Sequence, residues 1–354
     1  MRIGNILAPR FTYIKMSMKM STNPLPTTPP LQSNFSTAPY KPDGGYTTGG
    51  LLMLISALAG VGAILGYITH IISQWFYFIL VFPLFIGFAI GAVGTRMVKT
   101  GRVRNPWLGG LAGFFAGIFA MMVMHYFDYE EFRSSLSAAP PSLRELAKMP
   151  PDQLPKDRPS DLTPDQWLRI NQLLPLLRIQ SFTQFMDYQA KLGVTISGSH
   201  GSSSSGINLG HTGSYIYWLV EMLIVGGVTF AMVHEATAQP YCRHCDRWKT
   251  SKVLGFLSGD AKSLTSALNA GDIATLAAAQ PGPVITPLRL SATACDTCLG
   301  QNPIDLKLER ITKDKKNNTQ SETLTHITCD PATLPAVASL FTPPTPSLAP
   351  PPAL

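Results

Sequence analysis

Long apolar blocks alternate with polar connections along this chain, and the blocks set its architecture. LLMLISALAGVGAILGYITHII near 51–72, FYFILVFPLFIGFAIGAVG near 76–94 and WLGGLAGFFAGIFAMMVMHYF near 107–127 each approach the roughly 20 apolar residues that cross a bilayer core. A fourth block, YIYWLVEMLIVGGVTFAMVHEA, lies near 214–236. Aromatic residues mark several ends, among them Trp75, Tyr77, Trp107, Tyr126, Tyr215, Tyr217 and Trp218, as expected at a membrane interface. The pattern predicts an α-helical membrane protein with a four-span bundle, spans 1–3 within 50–127 and span 4 at 213–237. Pro83, in the middle of the second block, is expected to kink it.

Small residues recur at four-residue spacing in the spans: Gly62 and Gly66, Gly87 and Gly91, then Gly109, Gly113 and Gly117. Such spacing lets helix backbones approach closely in lipid. It predicts either a tight bundle within one chain or a homo-oligomer built through the glycine-rich faces.

Residues 128–212 read as an outward loop in two halves. The first is rich in proline, with a helix start at SLRE, 142–145. The second opens on Thr163-Pro164-Asp165-Gln166, a capping box with proline at the first helical position, followed by Trp167, Ile170, Leu173 and Leu174 at helical spacing. SFTQFMDYQAKLG then gives a second amphipathic helix ending at Gly193. Both helices are expected on the outer membrane face or against the bundle. The stretch 197–213, rich in glycine and serine, reads as a flexible approach to span 4.

Periodicity changes after span 4. Leu288, Leu290, Ala292 and Ala294 alternate, and Ile304, Leu306 and Leu308 alternate with Asp305, Lys307 and Glu309. KDKKNNTQ then forms a polar turn before ETLTHIT, a hairpin signature. Between them, Leu264 and Leu268, then Ile273 and Leu276, divided by Gly271, predict a helical insert. Residues 238–330 therefore read as one α+β domain, flanked by a disordered tail at 1–49 and a Pro-rich disordered tail at 331–354.

Composition narrows the class. Of 354 residues, 45% are hydrophobic and only 14% charged, too oily for an ordinary soluble protein. A net charge of +7 would fit nucleic acid, but the basic residues lie beside apolar runs with no basic stripe and interleaved aromatics, so no nucleic-acid partner is expected. Arg96, Lys99, Arg102 and Arg104 crowd the connection between spans 2 and 3, and Arg243, Arg247, Lys249 and Lys252 follow span 4. The excess of Lys and Arg places both junctions, and both termini, in the cytosol.

Cysteine supplies the candidate chemistry. Two CxxC pairs, Cys242/Cys245 and Cys295/Cys298, flank the helical insert, and Cys329 stands alone. Paired CxxC knuckles let four thiolates converge tetrahedrally on Zn²⁺. Strands carrying such knuckles resemble the zinc-ribbon fold over roughly 241–330, which implies a structural four-cysteine zinc site. A domain with few large apolar residues is expected to have a thin core, and zinc to supply the missing folding free energy. Cys329, His326 and His244 are read as structural or solvated, since four cysteines fill the tetrahedron.

Four spans with two cysteine pairs also resemble the quinone-linked membrane thiol oxidases and the vitamin K epoxide reductase-like proteins, which would imply redox chemistry at the CxxC pairs. There the working cysteines lie at the outer membrane face, whereas these follow span 4 on the cytosolic side, where disulfides are kept reduced. The whole chain is similar to uncharacterised polytopic proteins of bacteria, a resemblance that implies a plasma-membrane location and no activity.

Ionisable residues inside a span are functional candidates. Glu221 lies about six residues, or roughly 9 Å, into span 4. His70 and His125 fall toward the same outer side, and the three could form a proton-linked or metal-binding cluster in a small transporter or channel. No nucleophile elbow, HExxH, P-loop or kinase set is present. The leading expectation is thus a non-enzymatic membrane protein whose bundle, held in the lipid bilayer, anchors a cytosolic zinc module for a protein partner or for assembly.

Overall fold

The computed structural model describes residues 35–75, 80–150, 163–196, 207–279, 288–298, 302–314 and 318–341. The tail at 1–34, the residues 151–162, most of the Gly/Ser stretch (197–206), the turn residues 315–317 and the end of the Pro-rich tail (342–354) lie outside the described residues.

A short strand, β1 (Thr37–Pro39), precedes the helices α1 (Thr48–Ser73), α2 (Val81–Gly101) and α3 (Pro106–Ser137). Three shorter helices follow, α4 (Pro141–Lys148), α5 (Pro164–Leu177) and α6 (Phe182–Leu192), then β2 (Thr195–Ile196), β3 (Ile207–Asn208) and the long α7 (Gly210–Thr237). The rest of the chain forms β4 (Tyr241–Cys242), β5 (Arg247–Trp248), β6 (Thr250–Leu257), α8 (Ala261–Ala270), α9 (Ile273–Ala278), β7 (Leu288–Ala294), β8 (Ile304–Lys313), β9 (Thr319–Cys329) and α10 (Thr333–Ser339).

Among the described residues, helices α1, α2, α3 and α7 are the four long and apolar enough to cross a membrane. They form a closed bundle in which α1 and α7 each pack on both α2 and α3. The glycines make this possible. A Cβ on Gly66 would meet the Ala120 carbonyl, one on Gly91 the Met232 side chain, and one on Gly117 the backbone of Gly226 at 2.8 Å. Gly62, Gly87, Gly109 and Gly113 likewise face neighbouring helices of the same chain. The glycine faces proposed for a homo-oligomer are therefore occupied within the bundle, because close backbone approach is satisfied there first. Thr229 on α7 donates its hydroxyl to the carbonyls of Gly87 and Val225 at 3.2 and 2.8 Å, adding a polar tie between helices.

Pro83 does not kink a span. It is the third residue of α2, in the first turn, where an amide N–H would have no intrahelical acceptor. The third span is longer than its apolar block, because α3 continues through polar residues to Ser137. Beyond it, Thr163 and Gln166 form the expected capping box of α5, and Ser181 with Gln184 forms a second at α6. Gly193, at φ +80, ends α6. Phe185 of α6 is buried against Tyr129 and Phe132, so this helix packs on the end of the bundle.

The α+β module is a five-stranded antiparallel sheet in the order β1-β9-β8-β7-β6. The expected hairpin is β8–β9, pairing Ile304 with Cys329 through Lys313 with Thr319. The insert is α8 and α9, divided by Gly271 in the left-handed conformation, φ +71. Two expectations are corrected. Both flanking tails contribute to the module: Thr37–Pro39 pairs with β9, Phe35 packs on the core, and Val337 of α10 is fully buried. The core is not thin either. Leu257, Leu264, Leu268, Leu288, Leu290 and Leu306 belong to one cluster of fourteen buried residues between the sheet and its helices. The tails supply apolar residues that a domain bounded at 238–330 lacks.

Candidate metal centre

The two knuckles meet because of a strand that sequence periodicity did not reveal. The first knuckle closes at Trp248, one residue short of β6, and the second opens at Cys295, immediately after β7. Antiparallel pairing of Thr250 with Ala294 sets those two chain positions side by side. TSKVLGFL in β6 has no clean alternation and carries a register shift between Val253 and Gly255, which hides the strand from a period-two search.

Each knuckle is locally determined. β4 and β5 pair Tyr241 with Trp248 and Cys242 with Arg247, and Asp246, the residue after the second cysteine, turns the chain at φ +55. Asp tolerates that left-handed conformation better than most residues. At the second knuckle, Asp296 accepts from the Thr250 hydroxyl at 2.8 Å and faces Lys252 at 3.3 Å, tying the turn to β6.

The sulfur atoms of Cys242, Cys245, Cys295 and Cys298 all lie within 4.8 Å of one another. All four thiols are free of disulfides, and Cys242 Sγ and Cys298 Sγ are 3.4 Å apart. A tetrahedron with metal–sulfur bonds of about 2.3 Å has sulfur–sulfur edges of about 3.8 Å, so the cluster has the dimensions of a four-thiolate site. Among the described residues it is the one group of three or more Cys, His, Asp or Glu so arranged. Burial raises the Cys295 pKa, but the backbone N–H groups of Cys298 and Thr297 and the neighbouring thiols outweigh it and bring the value down to about 6. Cys298 moves the other way, to about 12, through hydrogen bonding with Cys245 and burial. One thiolate is favoured in the cluster and further ionisation is resisted. A cation at the centre would supply the charge that lets the remaining protons leave.

The first knuckle also sits against the bundle. The Trp248 indole N–H donates to the Lys99 carbonyl at 3.1 Å, near the end of α2. Arg102, which ends α2 in the left-handed conformation, pairs with Asp246. Arg104 lies over the Tyr241 ring, 4.5 Å from its centroid, and Asp43 bridges Arg104 and Arg243. The basic residues read as orienting the membrane therefore also hold the knuckle. Asp246 is the one acidic residue in the basic stretch CRHCDRWK, a signal visible in the sequence, whereas Asp43 lies in a Pro/Gly-rich stretch that carries none.

The remaining candidates lie elsewhere. Cys329 is in the sheet core, where burial pushes its thiol up to about 12, and His326 stacks on Tyr40 with ring centroids 4.0 Å apart. At the far end of the bundle, His70 Nδ1 is 2.7 Å from Asp128 Oδ1 and His125 Nδ1 is 3.5 Å from Asp128 Oδ2. Asp128 thus joins the two histidines. It falls just beyond the third apolar block, one turn after His125, where helical spacing would have found it. Glu221 is 2% exposed and accepts a hydrogen bond from the Tyr217 hydroxyl, one turn earlier on α7.

Compared with family models, curated proteins and solved structures, the chain matches none. What stands is a membrane protein with four spanning helices, a separate β/α module and a four-cysteine cluster able to ligate a metal.

Proposed function

We propose that this is a non-enzymatic membrane protein whose four cysteines hold one structural Zn²⁺, fastening an elaborated zinc-ribbon-like module to the cytosolic end of its bundle, where the module receives a protein partner or supports assembly. The observation that carries this reading is the convergence of four sulfurs from two knuckles, the first of which is bonded to the end of α2 and to Arg102 beyond it. Cys₄ ligation leaves no open coordination position, the arrangement of structural rather than catalytic zinc. Because the sheet has its own core, the metal acts on the junction: it ties the end of α7, the α2–α3 connection and the sheet into one unit.

The surface offered to a partner is the outer strand β6, which ends the sheet. Val253 and Phe256 are exposed on it, 54% and 47%. An extended partner segment adding along this edge would gain main-chain hydrogen bonds and cover both side chains. The test of the metal is elemental analysis of the purified full chain. One zinc per chain, lost in Cys242→Ser and Cys298→Ser, is the expected result. Substoichiometric metal in the wild type, or metal retained in both variants, refutes it.

A further inference from the structure

Helices α1 and α3 touch near mid-span and part toward the sheet module. Gly62 and Gly66 of α1 lie against α3, where a Cβ on Gly62 would stand 3.2 Å from the Ala116 carbonyl oxygen and one on Gly66 would meet that of Ala120. Nearer the module, Gly50 of α1 lies instead against Gly101 at the end of α2. A groove of about 400 Å³ is left open between the first halves of α1 and α3. Its lining is wholly apolar. Leu58 and Ala116 lie buried at its floor, and Ile55, Phe115 and Phe119 stand along it, 46%, 63% and 42% exposed.

The groove has the length of one membrane leaflet. Along α3 it runs from Leu108 to Phe119, about 17 Å at 1.5 Å per residue, against about 15 Å for half of a bilayer's hydrocarbon core. A neighbouring spanning helix would cross both leaflets and would need small residues on the ridges it touches, but here the small residues lie below Phe115 and Phe119. Both helices begin at the open end of the groove, and two backbone bonds hold their starts together: Gly44 N–H to the Arg104 carbonyl at 3.1 Å and Arg104 N–H to the Gly45 carbonyl at 2.8 Å. Thr47 and Asn105 cap only Gly50 and Leu108, which leaves the amides of Thr48, Gly49 and Trp107 without intrahelical acceptors. Neither first turn carries an acidic residue, and a Cβ on Gly49 would meet nothing within 4 Å. Arg96, Lys99, Arg102 and Arg104 at this end outnumber Asp43 and Asp246, the carboxylates that pair with Arg104 and Arg102.

We propose that this groove holds one anionic phospholipid of the leaflet on the module's side. An acyl chain lies between α1 and α3 and ends where the two helices close at Gly62. The phosphate then stands at the level of the paired helix starts, where free amides and aligned helix dipoles favour an anion and the basic connection adds long-range attraction. The lipid fills the wedge between α1 and α3 at the end of the bundle that carries the module.

The experiment titrates the full chain in detergent with phosphatidylglycerol or phosphatidylcholine, counts retained lipid by native mass spectrometry, and maps it with a phosphatidylglycerol carrying a photoreactive group in mid-chain. The expected result is saturation at one phosphatidylglycerol per chain, with labelling concentrated in Ile55–Ala59 and Leu111–Phe119. Phosphatidylcholine should bind about tenfold more weakly, and Ala112→Phe, which fills the groove, should weaken phosphatidylglycerol about tenfold. Phe115 is 63% exposed, so Phe115→Ala, which removes a wall, keeps the test valid if Ala112→Phe fails to fold, and it too should weaken binding. Labelling spread evenly over the four spans, or retention unchanged in the folded variants, would overturn the bound lipid. Equal retention of phosphatidylcholine would overturn its anionic head, and a dimer that Ala112→Phe disperses would give the groove to a second copy of the chain instead.

Discussion

Gly226 and Gly227 are consecutive residues of α7 in opposite situations, so alanine at each should move stability in opposite directions. A Cβ on Gly226 would lie 2.8 Å from the Phe114 ring and 3.1 Å from the Phe114 carbonyl oxygen, while one on Gly227 would meet nothing within 4 Å. Both substitutions gain the same helix preference over glycine, about 0.5–1 kcal/mol. Gly226→Ala additionally forces α3 and α7 apart, an overpacking penalty of about 1–3 kcal/mol. Because the preference is common to both, the difference between the variants isolates the packing, and it should be about 1–3 kcal/mol. Thermal unfolding of both proteins in the same detergent measures it. Gly227→Ala should unfold at or above the wild-type temperature and Gly226→Ala below it. Equal shifts would refute the close α3–α7 approach, and a destabilising Gly227→Ala would mean that a second copy of the chain packs on that face.

Two further predictions concern the module. Lys249 and Asp305 form a buried pair, 9% and 2% exposed, with the ammonium also donating to the Pro303 carbonyl at 2.8 Å. Lys249→Met strands the carboxylate and should lower unfolding stability by about 3–5 kcal/mol, with Asp305→Leu in the same chain recovering much of it; a loss below about 1 kcal/mol in denaturant titration would mean the pair behaves as an exposed one. Burial holds the His326 imidazole below its usual pKa of about 6.5, so in acid the unfolded chain binds the extra proton and stability falls as pH drops through about 6.5. His326→Phe keeps a ring against Tyr40 and should show a shallower loss between pH 7.5 and 5.5; parallel curves would remove His326 from the acid response.

Much of this architecture is legible in the sequence because it rests on local signals. Apolar length reveals the four spans, the Thr163–Gln166 box reveals the start of α5, and strict alternation reveals β8. What stays hidden depends on pairing at a distance. β6 is an irregular edge strand whose identity comes from β7, and Thr37–Pro39 is three polar or small residues that become a strand only beside β9. The cysteine spacing therefore indicates a metal site before the strand that assembles it can be seen. Asp43 escapes for the same reason, since it matters through Arg104 and Arg243 on other elements.

The role given to the metal is tested most directly by hydrogen exchange on the zinc-loaded full chain before and after chelation. Removing the metal should deprotect residues 241–250, 295–298 and the α2–α3 connection around Arg102, while β8 and β9, held by the fourteen-residue core, stay protected. Collapse of protection across the whole sheet would make the metal part of the core instead. Unchanged exchange at both knuckles would contradict a metal-fastened junction altogether.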